Sequence, residues 1–304
     1  MKLAVVIPVY NEEKALIPHI KTIYEILVND GIEPAFMLVD DGSKDRTWQK
    51  ILELQNEIPD LHAVRFARNF GKEMALCAGI DAIDADRYLI MDSDLQHPPR
   101  YIKAMMEIMD ENGADIVEGV KESRGKESLK YKLLAKSFYR ILKWATALDL
   151  DNSSDFKLMD RKVIDYLRTF TEKNVFFRGL VDFVGFKKVQ FAFEVDDRDD
   201  GSSRFSTLRL MRLAFNAILS YTSKPLYITV GLGALFFLFA IVLGIQTLFN
   251  FFSGHAVSGF STVILLNLLI GSLILFSLGI IGVYISRIYD EVKARPRYVI
   301  SKKI

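Results

Sequence analysis

Asp92-Ser93-Asp94 is the segment of this chain best equipped for chemistry. Two carboxylates two residues apart offer hard oxygen donors that suit a divalent cation, and such a cation can carry the phosphates of a nucleotide. The pair closes an apolar run, Arg87-Tyr88-Leu89-Ile90-Met91, and is followed at once by Leu95-Gln96-His97-Pro98-Pro99. The run reads as a buried strand that the prolines stop. At the C-terminal end of a strand in an open α/β sheet, both side chains point into the crevice where ligands bind. Taken alone, Asp-x-Asp also fits a solvated acidic turn, so its neighbours decide.

Residues 1–120 alternate strand and helix patterns. Leu3–Val9, Phe36–Val39, Ala63–Phe66 and Tyr88–Met91 are apolar runs of the kind found in buried parallel strands. Between them, Glu12–Val28, Thr47–Leu54 and Lys72–Ile83 have helical character, with Leu16, Ile20, Ile23 and Leu27 on one face of the first. The alternation predicts an α/β fold, a parallel sheet with helices on both faces. Polar groups gather where the strands end: Asn11-Glu12, Asp40-Asp41-Gly42-Ser43, Arg68-Asn69-Phe70-Gly71-Lys72 and Asp92-Ser93-Asp94. These ends share one edge of the sheet, so the groups converge on one cleft, read as a nucleotide site. The chain has neither Gly-x-Gly-x-x-Gly nor a phosphate-loop pattern, which counts against a dinucleotide dehydrogenase and a phosphate-loop NTPase.

Composition sets further bounds. The 39 basic and 38 acidic residues nearly balance, giving no sign of a nucleic-acid binder. The single cysteine, Cys77, excludes an intrachain disulfide and reads as a small core residue in a reducing compartment. From Pro225 to Ser286, 62 residues pass without Asp, Glu, Lys or Arg. A bilayer span needs about 20 apolar residues, so the stretch holds two, roughly Leu226–Phe249 and Thr262–Ile285, with Ser253–Gly259 as the turn. Arg204, Arg209, Arg212 and Lys224 precede the first, and six basic residues follow the second. The turn has no Lys or Arg, so the positive-inside rule places both ends in the cytoplasm. Residues 128–148 and 207–221 read as basic amphipathic helices, at the membrane surface or packed on the sheet.

The segments Val6-Ile7-Pro8-Val9-Tyr10-Asn11-Glu12, Val39-Asp40-Asp41-Gly42-Ser43 and Asp92-Ser93-Asp94-Leu95-Gln96-His97-Pro98-Pro99 together resemble the inverting family 2 glycosyltransferases. Within them the chain resembles the polyprenyl-phosphate glycosyltransferases, which include dolichol-phosphate mannose synthases. The paired spans and the ending Ile288-Tyr289-Asp290-Glu291-Val292-Lys293-Ala294-Arg295-Pro296 look most like the bactoprenol glucosyltransferase branch. The resemblance covers essentially the whole chain. It implies a GT-A-type domain over 1–205, an interfacial helix over 206–224, two transmembrane helices over 225–286 and a basic cytoplasmic tail over 287–304. A homotetramer in a bacterial inner membrane is also implied.

Site roles follow from the resemblance. Pro8, Tyr10 and Glu12 would line the base and ribose pocket. Asp40 would hold the uracil, with Asp41 beside it. Asn69 and Lys72 belong to a loop next to the nucleotide, though Lys72 also fits a solvated charge at a helix start. Asp92 and Ser93 would touch the nucleotide, Asp92 and Asp94 would ligate Mg²⁺ or Mn²⁺, and Gln96 would approach the metal or the donor sugar. Asp155 is the candidate catalytic carboxylate, with Asp151 as rival; Lys157 stands where the family usually has Arg. Arg198 and Arg204 would grip phosphate oxygens with help from Ser203, in what otherwise reads as a solvated charge run.

The implied reaction moves a hexose, glucose first, from a UDP-sugar to undecaprenyl phosphate with inversion. A diphosphate leaving group needs no general acid where a metal and arginines neutralise it. The acceptor phosphate is already anionic, so Asp155 would orient or stabilise more than act as a strong base. Other donors, GDP-mannose among them, stay open. A processive polysaccharide synthase would carry Gln-x-x-Arg-Trp, and neither Trp48 nor Trp144 sits in that motif. A non-catalytic membrane scaffold would lack use for the acidic set.

Overall fold

The computed structural model describes residues 1–121, 154–173, 175–194, 222, 224–254 and 259–304. It divides into two units, Met1–Leu210 with Pro296–Ile304, and Met211–Arg295. The expected amphipathic helices over 128–148 and 207–221, and Asp151, Arg198, Ser203 and Arg204, lie outside the described residues.

The first unit is built from strands β1 (Leu3–Val9), β2 (Pro34–Asp40), β3 (Leu61–Phe66), β4 (Arg87–Ile90), β5 (Ile116–Lys121), β6 (Lys157–Asp160) and β7 (Lys188–Phe193). Helices α1 (Leu16–Asn29), α2 (Thr47–Gln55), α3 (Lys72–Ala82), α4 (Ile102–Asn112), α5 (Arg161–Leu167) and α6 (Phe177–Phe183) connect them. The sheet runs β7-β5-β6-β4-β1-β2-β3 and ends in a last strand, β8 (Ile300–Lys303). β4, β1, β2 and β3 are mutually parallel. β6 runs antiparallel to both β4 and β5, and β7 is again parallel to β5. This is the mostly parallel α/β sheet that the strand–helix alternation predicts.

Period-two alternation gives each strand two faces. Leu3, Val5, Ile7 and Val9 share one core with Phe36, Leu38, Ala63 and Leu89 and with α1, α2 and α4. Val6 and Val39 face the other way, against α3. There Gly79 lets the helix lie on the sheet, since a Cβ at that position would overlap Val6 Cγ1. Strand order reverses around β1, whose C-terminal end lies between those of β2 and β4, and a crevice opens there.

Two boundaries differ from the sequence expectation. α1 begins at Leu16 rather than Glu12, because the Glu12 N–H donates to Thr47 Oγ1 (2.8 Å) and Asn11 has φ +56°. The basic tail expected over 287–304 is divided. A helix continues to Val292, and residues 300–303 then pair antiparallel with β3, covering an edge that would otherwise offer bare N–H and C=O groups.

The second unit contains α7 (Lys224–Phe252, 29 residues) and α8 (Phe260–Val292, 33 residues). Both are long and apolar enough to cross a membrane; at 1.5 Å per residue each exceeds a hydrocarbon core of about 30 Å. Tyr284 Oη, near the end of α8, donates to the carbonyl of Thr222, just before α7 (2.8 Å), so the helices run as a hairpin. α8 passes beyond Ser286 because Arg287-Ile288-Tyr289-Asp290-Glu291-Val292 contains neither Pro nor Gly to stop it.

Gly79→Ala is expected to destabilise the full chain by ~1–3 kcal/mol through overpacking against Val6 and Val39. Thermal denaturation in detergent reads it; an unchanged midpoint would show that α3 shifts freely on the sheet.

Candidate active site

Four loops meet at the C-terminal ends of β1, β2, β3 and β4. They enclose a cleft of about 370 Å³ lined by Pro8, Val9, Tyr10, Glu12, Asp41, Asn69, Gly71, Lys72, Asp92, Ser93 and Asp94. Of the residues expected to hold a donor, all but Asp40, Gln96 and the three outside the described residues, Arg198, Ser203 and Arg204, line it.

Hydrogen bonds stitch the first two loops together. Asn11 N–H donates to Ser43 Oγ (2.9 Å) and Lys44 N–H to Asn11 Oδ1 (2.9 Å). The third loop hangs on Asp41, whose carboxylate accepts the N–H groups of Phe70 (2.6 Å) and Gly71 (2.9 Å). Gly42 allows this closeness. Its φ is +67°, and a Cβ there would overlap the backbone of Arg68. Burial raises the Asp41 pKa more than those two N–H groups lower it.

Asp40 does not reach the cleft. It is fully buried, accepts from Ser43 N–H (2.8 Å) and lies 3.1 Å from Arg65 Nε, close enough for an ion pair though not aligned as a hydrogen bond. Successive residues face opposite ways here: Asp40 ends β2 pointing to Arg65, and Asp41, the next residue, lines the cleft as expected.

The fourth loop is held from both sides. Asp92 N–H donates to His97 Nδ1 (3.1 Å), and His19 Nδ1 lies 2.7 Å from the Ser93 carbonyl. Leu95 takes φ +57°, turning the chain so that Gln96 N–H donates to Asp94 Oδ1 (3.1 Å). The buried His97 ring stacks on Phe156, next to Asp155, with centroids 5.2 Å apart.

Lys72 joins this loop to Asp155. Its ammonium is 2.5 Å from Asp92 Oδ1 and 2.6 Å from Asp155 Oδ2. Burial alone would lower its pKa; the Asp155 and Asp92 carboxylates outweigh that and raise it. Arg178 grips Asp155 from the other side with both arms of its fork, Nε to Oδ1 at 2.5 Å and Nη2 to Oδ2 at 2.8 Å. Burial resists ionisation of Asp155, yet Arg178 and Lys72 together hold its carboxyl well below the usual range. Beneath it, Lys157 forms a buried ion pair with Glu118. Glu73 accepts the Phe177 N–H (2.6 Å) at the start of α6, which carries Arg178.

His19, Glu73, His97 and Arg178 were missed by reading the sequence. His97 stood inside a quoted motif. Arg178 follows two phenylalanines with no spacing to mark it, and its partner is 23 residues away in sequence.

The donor set fits a hard cation. Burial and then the Asp94 charge raise the Glu12 pKa, so carboxylates crowd this edge and a cation would relieve their repulsion. Asp92 and Asp94 are the residues that could hold one. Among the described residues no group of three or more His, Cys, Asp or Glu could hold a metal ion.

A carboxylate whose folded pKa lies below its unfolded value adds stability that is full above about pH 4 and lost only as the pH falls through the folded value. Asp155→Asn is therefore expected to cost ~2 kcal/mol, discounted because both cations are about one-third exposed. Thermal midpoints at pH 5 and pH 8 should show the same deficit; a deficit that shrinks at pH 5 would show Asp155 titrating there.

Residues 4–168 match the Glycosyl transferase family 2 domain. The chain is 35% identical to an uncharacterised glycosyltransferase, YkcC, of Bacillus subtilis, over 99% of this chain and 94% of that one. It is 34% identical to a bactoprenol glucosyl transferase of Shigella phage SfII, over 99% and 98% respectively. Among solved structures, a mannosyl-3-phosphoglycerate synthase from Rubrobacter xylanophilus is similar at a TM-score of 0.49 and 14% identity, over 75% of this chain and 74% of that one. With its motifs assembled on one cleft and relatives matched end to end, the chain belongs to glycosyl transferase family 2.

Proposed function

We propose that the protein transfers a hexose, glucose in the first instance, from a UDP-sugar to undecaprenyl phosphate, with inversion, at the cytoplasmic face of a bacterial membrane. The observation that carries this reading is the Asp92–Lys72–Asp155 chain of charges, which joins the acidic pair of the donor cleft to a second carboxylate. Full-length similarity to proteins called bactoprenol glucosyl transferase supports the acceptor class. The two long apolar helices support a membrane-held substrate.

In the proposed reaction a phosphate oxygen of the acceptor attacks the anomeric carbon. The bond from that carbon to the UDP oxygen breaks, and UDP leaves with the electron pair. Mg²⁺ or Mn²⁺ held by Asp92 and Asp94 would supply charge neutralisation for the leaving diphosphate. Tyr10, Glu12 and Asp41 would bind the nucleoside from the β1 and β2 loops. Asp155 has both oxygens engaged by cations, which suits an orienting, electrostatic role. The acceptor arrives ionised, so no strong base is needed. Pairing of β8 with β3 supports placing the chain before α7 and the chain after α8 on one side of the membrane, as a two-span hairpin requires.

The test is transfer of radiolabelled sugar from a panel of UDP-sugars and GDP-mannose to undecaprenyl phosphate in detergent, with Mn²⁺ or Mg²⁺ and with EDTA. A lipid product from UDP-glucose that EDTA abolishes is expected, and Asp94→Asn should reduce it by about two orders of magnitude or more. Product from GDP-mannose alone would move the protein to mannosyl transfer. Silence from every donor would overturn the reading.

A further inference from the structure

The chain that follows the second apolar helix returns to the donor cleft through aromatic rings. Tyr298 stands six residues beyond the end of α8 at Val292. Its ring stacks on the buried Phe66 at the end of β3, with centroids 5.1 Å apart and planes 19° from parallel. Phe66 meets the edge of Phe70 at 5.5 Å. The Arg68 guanidinium lies 4.1 Å over the other ring of that pair, Phe70. Phe70 and Gly71 donate their N–H groups to Asp41, and Asp41, Asn69, Gly71 and Lys72 line the cleft. Three rings thus lead from the C-terminal segment to the loop that begins α3 and presents Lys72.

The C-terminal segment is itself anchored. Tyr298 Oη donates to Asp81 Oδ2 (2.9 Å), and Arg297 lies 3.4 Å from the same oxygen. Asp81 is on α3, the helix whose first residue is Lys72. Ala67 N–H donates to the Val299 carbonyl (2.9 Å), and Ala63 and Ile304 exchange backbone hydrogen bonds (3.1 and 2.9 Å). The pairing slips between Arg65 and Phe66, where the chain leaves β3 for the loop. Without this segment, β3 would be the edge of the sheet and Phe66 would lose its cover.

We infer that Tyr298 is a positioning residue for the donor cleft. It acts through Phe66 and Phe70 to hold the 69–71 loop against Asp41. The inference rests on the reading of the cleft as a nucleotide site, and the measurement below separates the two. Offset-stacked and edge-to-face ring pairs are favourable beyond the area they bury, and a fixed loop keeps its N–H groups directed at one carboxylate.

The experiment compares full-length wild type, Tyr298→Leu and Tyr298→Phe in detergent. Leucine keeps apolar cover over Phe66 and removes the ring; phenylalanine keeps the ring and removes the hydroxyl. Hydrogen exchange of the Phe70 and Gly71 amides needs no ligand, and UDP affinity is measured beside it by calorimetry. Expected for Tyr298→Leu are exchange at those amides about tenfold faster and UDP binding about tenfold weaker, with Tyr298→Phe close to wild type in both. A lowered melting midpoint in Tyr298→Leu with exchange and UDP affinity as in wild type would reduce Tyr298 to a structural part and overturn the inference. Equal loss in Tyr298→Phe would overturn the route through the rings. Failure of the wild type to bind UDP would count against the proposed donor, while exchange at Phe70 and Gly71 would still decide the role of Tyr298.

Discussion

Lys72 is the single charge on which the cleft turns. Asp92 and Asp155 come from separate strands and would repel each other across a half-buried space, and one ammonium lies within 2.6 Å of both. The arrangement is stable because each partner is fixed from elsewhere. His97 holds the backbone of Asp92, Arg178 holds both oxygens of Asp155, and Asp41 holds the loop that presents Lys72. Burial that would have neutralised the ions separately is offset by their arrangement as a set.

Packing beneath the site carries the same logic. β6 runs against its neighbours β4 and β5, and this antiparallel insertion delivers Asp155 to the edge where the parallel strands end. Lys157, two residues on, is buried against Glu118 of β5. Phe156, between them, stacks with His97. Three successive residues leading into β6 thus serve two charge networks and an aromatic contact at once.

How much of this could be read from the chain depends on the range of the interactions. The first four strands and three helices are written in local apolar periodicity, which is why β1, α2 and α3 lie where expected. The acidic pair and its neighbours are equally local, since each sits where a strand stops. Which way Asp40 faces depends on the phase of β2, and a run buried on both faces, as Pro34–Asp40 is, carries no alternation from which to take that phase. Arg178, Glu73 and His19 act across 23, 104 and 74 residues, and such pairings leave no mark in spacing. The strand at 300–303 was hidden by its charges: Lys302 and Lys303 read as part of a basic cytoplasmic tail, whereas an edge strand keeps exposed lysines as a guard against further pairing.

That last strand also fixes an order of events. Synthesis proceeds from the N-terminus, so β3 and the loop after it leave the ribosome long before Ile300–Lys303 do. During that interval the sheet has an open edge and Phe66 has no Tyr298 upon it. Both apolar helices must emerge before the edge can be covered. The open edge of β3 is therefore covered only after both apolar helices have been made.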